Sequence, residues 1–501
     1  MILRPQLKEL RVVAYYLGKI LVSFAFLELI PLALALILKE FDPALDFGIG
    51  FLAALSFGLA LQAIFYTQKF MDWAQGLSVA SITWLLAMVF SAIPLYLSGH
   101  WASFLDACFE TMSGLATTGL TLAVDLDHLS FSHNLWRHLI MFVGGQGIVI
   151  IALSFFVKGF SGAFKMYVGE ARDERIMPNV IDSARFIWLV SLVYLVLGTL
   201  SLGICGMAIG LKPFTSFFHG ACVFMAAFDT GGFTPQSQNI LYYHSFAYEL
   251  ITVFCMFLGA INFKLHYAIW MGNRKEMFRN IETVTLFLAV VVTFLITVFG
   301  LRLPHTYSDG LVIFRKGFYQ LVSGHTGTGF STIYAKQFIN EWGNLALVGI
   351  ILAMGLGGAT CSTTGAIKML RLGVVFKALA QDIKKVILPE KTVVVQRFHH
   401  IKTLFLDDKL ARSALLITLL YILLYLFGAI VGMFFGYPFL DSLFESTSAA
   451  ANVGLSCGIT QVSMPIFLKI TYILQMWIGR LEFISVFKLG GLFLALFKGR
   501  K

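Results

Sequence analysis

Ten apolar runs are spread along the whole of this chain, at about 12–38, 47–66, 78–97, 137–157, 186–209, 246–270, 283–300, 342–368, 415–435 and 466–497. Each is close to, or longer than, the roughly 20 helical residues that cross the ~30 Å hydrocarbon layer of a bilayer. In that medium water satisfies no backbone group, so the runs must be helices, and any irregular backbone between them must be buried in protein or face water or ions. The first run is longer than a signal-peptide core and contains Lys19 and Glu28 without a small-residue cleavage pattern, so it reads as a retained helix.

With 58% hydrophobic and 13% charged residues, a water-soluble globule would lack the polar surface to cover itself. Lipid is the solvent. The net charge of +10 does not mark a nucleic-acid binder, because Lys and Arg gather in alternate loops. They include Arg4, Lys8 and Arg11, then Lys158, Lys165, Arg172, Arg175 and Arg185, then Arg274, Lys275 and Arg279, the stretch 368–412, and Lys498, Arg500 and Lys501. Those loops share one face if both termini are cytoplasmic, which is the positive-inside pattern. Six scattered cysteines, with no paired spacing, read as buried thiols.

Between successive spans lie four weaker apolar stretches, too short to cross, each ending in a glycine-rich polar tract. Anchored on Gly119, Gly232, Gly329 and Gly454, they align without gaps. Fifteen residues before each anchor stands Phe104, Phe217, Phe314 or Phe439, and twelve before a small residue, Ala107, Gly220, Gly317 or Ser442. One after is large and apolar (Leu120, Phe233, Phe330, Leu455), and two after is a hydroxyl (Thr121, Thr234, Ser331, Ser456). The helix that follows repeats Met-x-x-Gly, with its glycine at Gly144, Gly259, Gly357 and Gly479. Close helix packing is the favoured reading of that echo. The internal repeat thus predicts an all-α polytopic protein: four pseudo-repeated helix, pore loop, helix units around one pore, plus two extra N-terminal transmembrane helices.

The corresponding division is 1–73 for the N-terminal pair, 74–160, 161–280 and 281–375 for units one to three, 376–410 for a cytoplasmic linker and 411–501 for unit four. Four short helices that end part-way through the membrane and return as extended chain aim backbone carbonyls at one axis. Such oxygens replace the hydration shell of a monovalent cation. The candidate ion-binding residues are Thr117, Thr118 and Gly119, Thr230, Gly231 and Gly232, Gly327, Thr328 and Gly329, and Asn452, Val453 and Gly454. Asp229 has no counterpart at Ala116, Thr326 or Ala451, so the loops lack the carboxylate ring that a divalent-cation filter wants.

These residues resemble the TrkH/KtrB superfamily of bacterial, fungal and plant K⁺ transporters. The matching strings are Ala116-Thr-Thr-Gly-Leu-Thr121, Asp229-Thr-Gly-Gly-Phe-Thr234, Thr326-Gly-Thr-Gly-Phe-Ser331 and Asn452-Val-Gly-Leu-Ser456. Beyond the loops come Trp136-Arg137, Gly144-Gly-Gln-Gly147, Phe257-Leu-Gly-Ala-Ile-Asn262, Cys361-Ser-Thr-Thr-Gly-Ala-Ile-Lys368 and Gly479-Arg-Leu-Glu482. The two spans ahead of the first unit place the resemblance in the TrkH branch. It implies K⁺ uptake, by a channel or a cation-coupled symporter, in a bacterial inner membrane. All four filter positions are glycine, which by the same resemblance favours K⁺ over Na⁺; a Na⁺ or weakly selective cation transporter of the same build is the alternative.

The tract 355–365 holds Gly355, Gly357, Gly358 and Gly365 and is too rich in Gly and Thr for regular helix. Broken helices at membrane depth line permeation paths, and the resemblance makes this one an intramembrane gate, with Lys368 at its end and Arg480 in the pore beside it. The simpler expectation for Arg480 is a pair with Glu482 or Glu445. By resemblance the protein is a homodimer in membrane lipid over a TrkA-like cytoplasmic nucleotide-binding regulatory subunit. The chain itself has neither a dinucleotide fingerprint nor a P-loop, so K⁺ is its cargo and no cofactor is expected. An enzyme is disfavoured because no catalytic motif appears, and Asp106, Glu110, Asp125, Asp127 and His128, near the outer face, are not expected to recur across the units. A third reading, a scaffold whose loops merely pack, predicts no flux.

Overall fold

The computed structural model describes residues 7–148, 180–302, 307, 309–389, 392 and 394–498. Arg4, Lys158, Lys165, Arg172, Arg175, Arg500, Lys501, the segment 149–157 of the expected fourth span and the boundary placed at 160/161 lie outside the described residues.

Among the described residues, six helices are long and apolar enough to cross a membrane: Leu10–Leu38, Phe41–Ile64, Trp73–Leu97, Ile181–Ala208, Ile281–Arg302 and Asp408–Phe434. Two more spans are bent. Phe246–Ala260 turns through 101° into Phe263–Trp270, and Ile466–Leu481 through 113° into Ile484–Leu492. Both had been expected as continuous runs; the second bends where Glu482 and Phe483 take left-handed backbone, with φ of 51° and 70°. The remaining two expected spans are Phe131–Gln146, which leads out of the described residues, and Asn344–Gly355, where regular helix stops as the Gly and Thr content requires. The outer face is apolar, with Phe434 83% and Ile37 75% exposed, as a lipid-facing surface demands.

Inside this frame sit the four half-helices: Phe104–Leu115, Pro213–Phe228, the turns 310–325 ending in Tyr319–His325, and Phe439–Ala450. At 12 to 16 residues they rise about 18–24 Å, short of the ~30 Å hydrocarbon layer. Each packs against both long helices of its own unit. The small residue of the repeat explains part of that fit: a Cβ on Gly220 would lie 2.9 Å from the backbone N of Gly203, and one on Gly432 would lie 2.7 Å from the hydroxyl of Ser442.

The units close on themselves. Phe131–Gln146 of the first packs on the half-helix of the second, Phe246–Ala260 on that of the third, Asn344–Gly355 on that of the fourth, and Ile466–Leu481 on that of the first. The N-terminal pair covers the outside of unit one, packing on Trp73–Leu97 and Phe131–Gln146. Within 376–410 the chain is more ordered than a plain linker: the helix Met369–Ile387 runs into it, and Arg397–His400 pairs antiparallel with Lys402–Phe405. A small cluster of Ile281, Val374, Phe398 and Ala414 fastens this region to the bundle.

Candidate functional site

Each half-helix ends in the same way. The residue two before the anchor is left-handed in all four units: Thr117 at φ 52°, Thr230 at 52°, Gly327 at 69° and Asn452 at 56°. The next N–H reaches back five residues: Thr118 to Ser113 O at 2.7 Å, Gly231 to Ala226 O at 2.8 Å, Thr328 to Ser323 O at 2.9 Å and Val453 to Ser448 O at 2.9 Å. This is a Schellman-type cap. It aims the carbonyl, negative end of every half-helix at the centre, where a cation gains from it.

The anchors then meet their neighbours. A Cβ on Gly119 would lie 2.2 Å from the carbonyl oxygen of Gly231; on Gly232, 2.0 Å from that of Thr328; on Gly329, 2.0 Å from that of Val453; and on Gly454, 2.0 Å from that of Thr118. The contacts run from unit one to two, three, four and back to one, a closed ring in which every candidate filter triplet takes part. All four anchors have positive φ, from 73° to 95°, so only glycine fits both the conformation and the approach. The threonines of the ring, Asn452 and Val453 are fully buried. On one side the ring opens to a vestibule of about 260 Å³ lined by Thr121, Asn239, Ser331 and Ser456 together with anchor glycines.

The other side is covered by the broken tract. After Asn344–Gly355 the chain pairs with itself, Leu356 beside Ile367, and folds under the ring. The Thr117 hydroxyl is 3.5 Å from Thr363 O and that of Thr230 is 3.2 Å from the Thr363 hydroxyl. A Cβ on Gly327 would lie 3.8 Å from Thr364, and one on Gly365 would lie 2.7 Å from Asn452 Oδ1. All four left-handed positions therefore touch the tract. Gly358 packs at Ala260 O, and Ala359 N–H donates to that carbonyl at 3.0 Å.

Arg480 and Lys368 hold this cover. The Arg480 guanidinium donates to Thr363 O, to Thr117 Oγ1 at 3.3 Å, and to the carbonyls of Gly144 and Gly145 at 2.8 and 2.9 Å. Glu482 accepts from Arg371 and lies 4.0 Å from Lys368 Nζ, which itself donates to Thr364 O. Glu445 is engaged by the chain at 456–460. Arg480 thus touches both the ring and the tract.

The Met-x-x-Gly echo is packing in three units. A Cβ on Gly144 would lie 1.9 Å from Leu115 O, on Gly259 1.8 Å from Phe228 O, and on Gly479 2.0 Å from Ala450 O, each the last residue of a half-helix. Gly357 differs: a Cβ there would lie 2.3 Å from Gly365 O, within the tract. Overpacking of this kind costs about 1–3 kcal/mol. Gly479→Ala is expected to lower the melting temperature of detergent-solubilised protein by several degrees; an unchanged melting curve would contradict this packing role.

Sequence reasoning missed two pairs. Glu110 and Glu445 both stand nine residues before their anchors, and Asp106 and Asp441 both stand thirteen before, so the expectation that the outer acidic residues do not recur is wrong for Glu110 and Asp106. Glu110 and Glu445 are fully buried, and an offset count at those positions finds both pairs. Asp229, the lone loop carboxylate, accepts from Gln146 Nε2 at 2.7 Å, within the wall between units one and two.

A family model described as TrkH, cation transport protein, matches residues 45–489. An uncharacterized cation transporter of Methanocaldococcus jannaschii is 30% identical over 96% of this chain and 95% of its own length. The Trk system potassium uptake protein TrkG of Escherichia coli is 28% identical over 95% and 97%. The crystal structure of the potassium transporter TrkH from Vibrio parahaemolyticus superposes with a TM-score of 0.78 over 95% of this chain and 98% of that one, at 23% identity, and so shares the fold.

Proposed function

The chain belongs to the TrkH family of cation transport proteins, and from that premise we propose that it carries K⁺ into the cell through the ring of four loops. One observation bears most of the weight: the anchor glycines meet neighbouring carbonyls in a closed cycle, which leaves backbone oxygens as the ligands available to a passing ion. Carbonyl coordination suits a monovalent cation that sheds its water at little cost. The relatives named for potassium uptake support K⁺ as the cargo.

In this reading Thr117–Gly119, Thr230–Gly232, Gly327–Gly329 and Asn452–Gly454 are the filter, the vestibule faces outward, and the tract 355–368 is a gate standing shut. Both termini and the basic loops, including Arg274, Lys275, Lys384 and Lys385, are cytoplasmic, following the positive-inside rule. The cytoplasmic segment around the 397–405 hairpin offers a docking surface for a TrkA-like nucleotide-binding subunit, and two copies of the chain form a homodimer with one pore each.

The test is growth of a K⁺-uptake-deficient strain at low external K⁺, followed by K⁺ flux into liposomes with Na⁺ as competitor. Rescue with weak Na⁺ competition is expected. Equal K⁺ and Na⁺ flux would replace this with the weakly selective alternative, and no flux would leave only a scaffold.

A positive charge beneath a filter repels the ion it must release. Removing even about 1.4 kcal/mol of such repulsion is worth about tenfold in rate. Arg480→Ala also deletes the donors that hold Thr363. It is expected to raise K⁺ flux severalfold in liposomes lacking the regulatory subunit; wild-type flux would remove Arg480 from the gate.

A further inference from the structure

The four units share a ring but differ in what holds the chain that leaves it. Nine residues before the anchors stand Glu110, Val223, Gln320 and Glu445. Glu445 Oε1 accepts backbone N–H groups from Cys457 at 3.1 Å, Gly458 at 3.2 Å, Ile459 at 3.0 Å and Thr460 at 3.3 Å, and the Ser456 hydroxyl; Oε2 accepts the Thr460 hydroxyl at 3.0 Å. One side chain thus organises the five residues that begin two positions after Gly454.

Glu110 does the same more briefly and across a boundary. It accepts from Leu122 N and the Thr121 hydroxyl, each at 3.0 Å, and from Arg137 Nε and Nη2 at 2.9 and 2.7 Å. Arg137 Nη1 in turn donates to Thr234 O, 3.3 Å away in unit two, while the guanidinium lies over the Phe233 ring. In unit three, Gln320 Nε2 reaches only the Thr332 hydroxyl, at 3.1 Å. In unit two, Val223 has nothing to offer, and the Thr234 hydroxyl turns to Gln236 O at 2.9 Å.

We propose that Glu445 and Glu110 are positioning residues for ion selection, fixing how far the exit strands of units four and one stand from the axis. Hydrogen bonds to an ionised acceptor are shorter and about twice as strong as neutral ones, so these two strands are held stiffly. A filter tells K⁺ from Na⁺ only if its oxygens resist closing on the smaller ion, through fixed size or through the field of its dipoles. The Gly454 and Gly119 carbonyl segments are contiguous with the strands these carboxylates clamp. A carboxamide at 445 offers one acceptor oxygen and turns an N–H₂ toward donors, so the clamp loosens while the side-chain volume stays the same.

This rests on the K⁺-uptake reading, and the experiment separates the two. Wild type, Glu445→Gln and Ser456→Ala are reconstituted in liposomes, and K⁺ flux is measured against increasing Na⁺, alongside the amount of inserted protein. The K⁺ over Na⁺ preference is expected to fall at least about fivefold in Glu445→Gln and less in Ser456→Ala, which removes one donor and leaves the carboxylate. Wild type that moves no K⁺ would defeat the transport reading itself. Wild-type K⁺ flux with an unchanged ion preference in Glu445→Gln overturns the positioning role. If that variant does not insert, Ser456→Ala decides: an unchanged preference overturns the proposal and a reduced one supports it.

Discussion

Gly454→Ala removes K⁺ uptake almost completely while the protein still reaches the membrane. The new methyl would stand 2.0 Å from the Thr118 carbonyl oxygen and 3.0 Å from the Gly119 Cα, both backbone atoms of the neighbouring loop. No flexible side-chain end can yield, so the ring itself must widen by about 1 Å or more to restore ordinary contact. The backbone at φ +95° adds to the cost, because left-handed geometry disfavours a Cβ by about 1–2 kcal/mol. Together these reach about 3 kcal/mol, which in a transport barrier is about a hundredfold. The half-helix caps lie upstream and stay intact, so folding suffers less than conduction. Flux into liposomes, normalised to inserted protein, measures the effect; flux within twofold of wild type would show that the ring is not the path.

Deleting Cys361–Thr364 from the covering tract has the opposite sign: K⁺ flux rises at least about tenfold in liposomes that hold this chain alone. Those four residues supply the contacts that close the ring from below. The Thr363 hydroxyl donates to Phe228 O and Gly259 O, each at 3.0 Å, and Thr363 O receives Arg480. Removing them leaves Leu356 and Ile367 to pair at the root, with a shorter arch above. Each lost buried hydrogen bond is worth about 0.5–1.5 kcal/mol net, so three or four exceed the 1.36 kcal/mol that makes a tenfold change. Unchanged flux in well-inserted protein would assign the cover a packing role alone.

Much of this was legible in the sequence because its causes are local. Apolar length sets the spans, and the Gly and Thr content of 355–365 ends a helix wherever it lies. The repeated loop fixes its own cap, since the left-handed residue and the N–H that returns five positions share one short segment. The bends escaped notice for the converse reason: 246–270 and 466–497 are apolar enough on average to read as single spans in spite of their few charged residues, and Asn262, Glu482 and Phe483 carry no breaker signal comparable to glycine or proline. The hairpin at 397–405 was equally hidden, because distant residues hold it: Glu276 accepts from His399 Nε2 and from Ile401 N at 3.0 Å, and Phe398 packs with Ile281, Val374 and Ala414.

Partner choice was the least legible. Arg480 had Glu482 two residues away, but the left-handed turn at Glu482 carries that carboxyl to Arg371, while the guanidinium meets carbonyls from units one and three. The recurring Glu110 and Glu445 stood in the alignment, yet nothing local says that a buried carboxylate will collect the N–H groups of a strand a dozen residues on.

By itself, then, the amino-acid sequence determined a membrane-embedded helical chain, four related units and the glycines at their loops, because helix length and backbone conformation answer to neighbours within a few positions. Only the tertiary structure decided which unit stands beside which, that Gly454 meets Thr118 and so closes the ring, and that the tract of the third unit lies across all four. Those are contacts between residues hundreds of positions apart, such as Asn452 Nδ2 to the Thr118 hydroxyl at 3.1 Å. Their geometry exists only once the helices have packed.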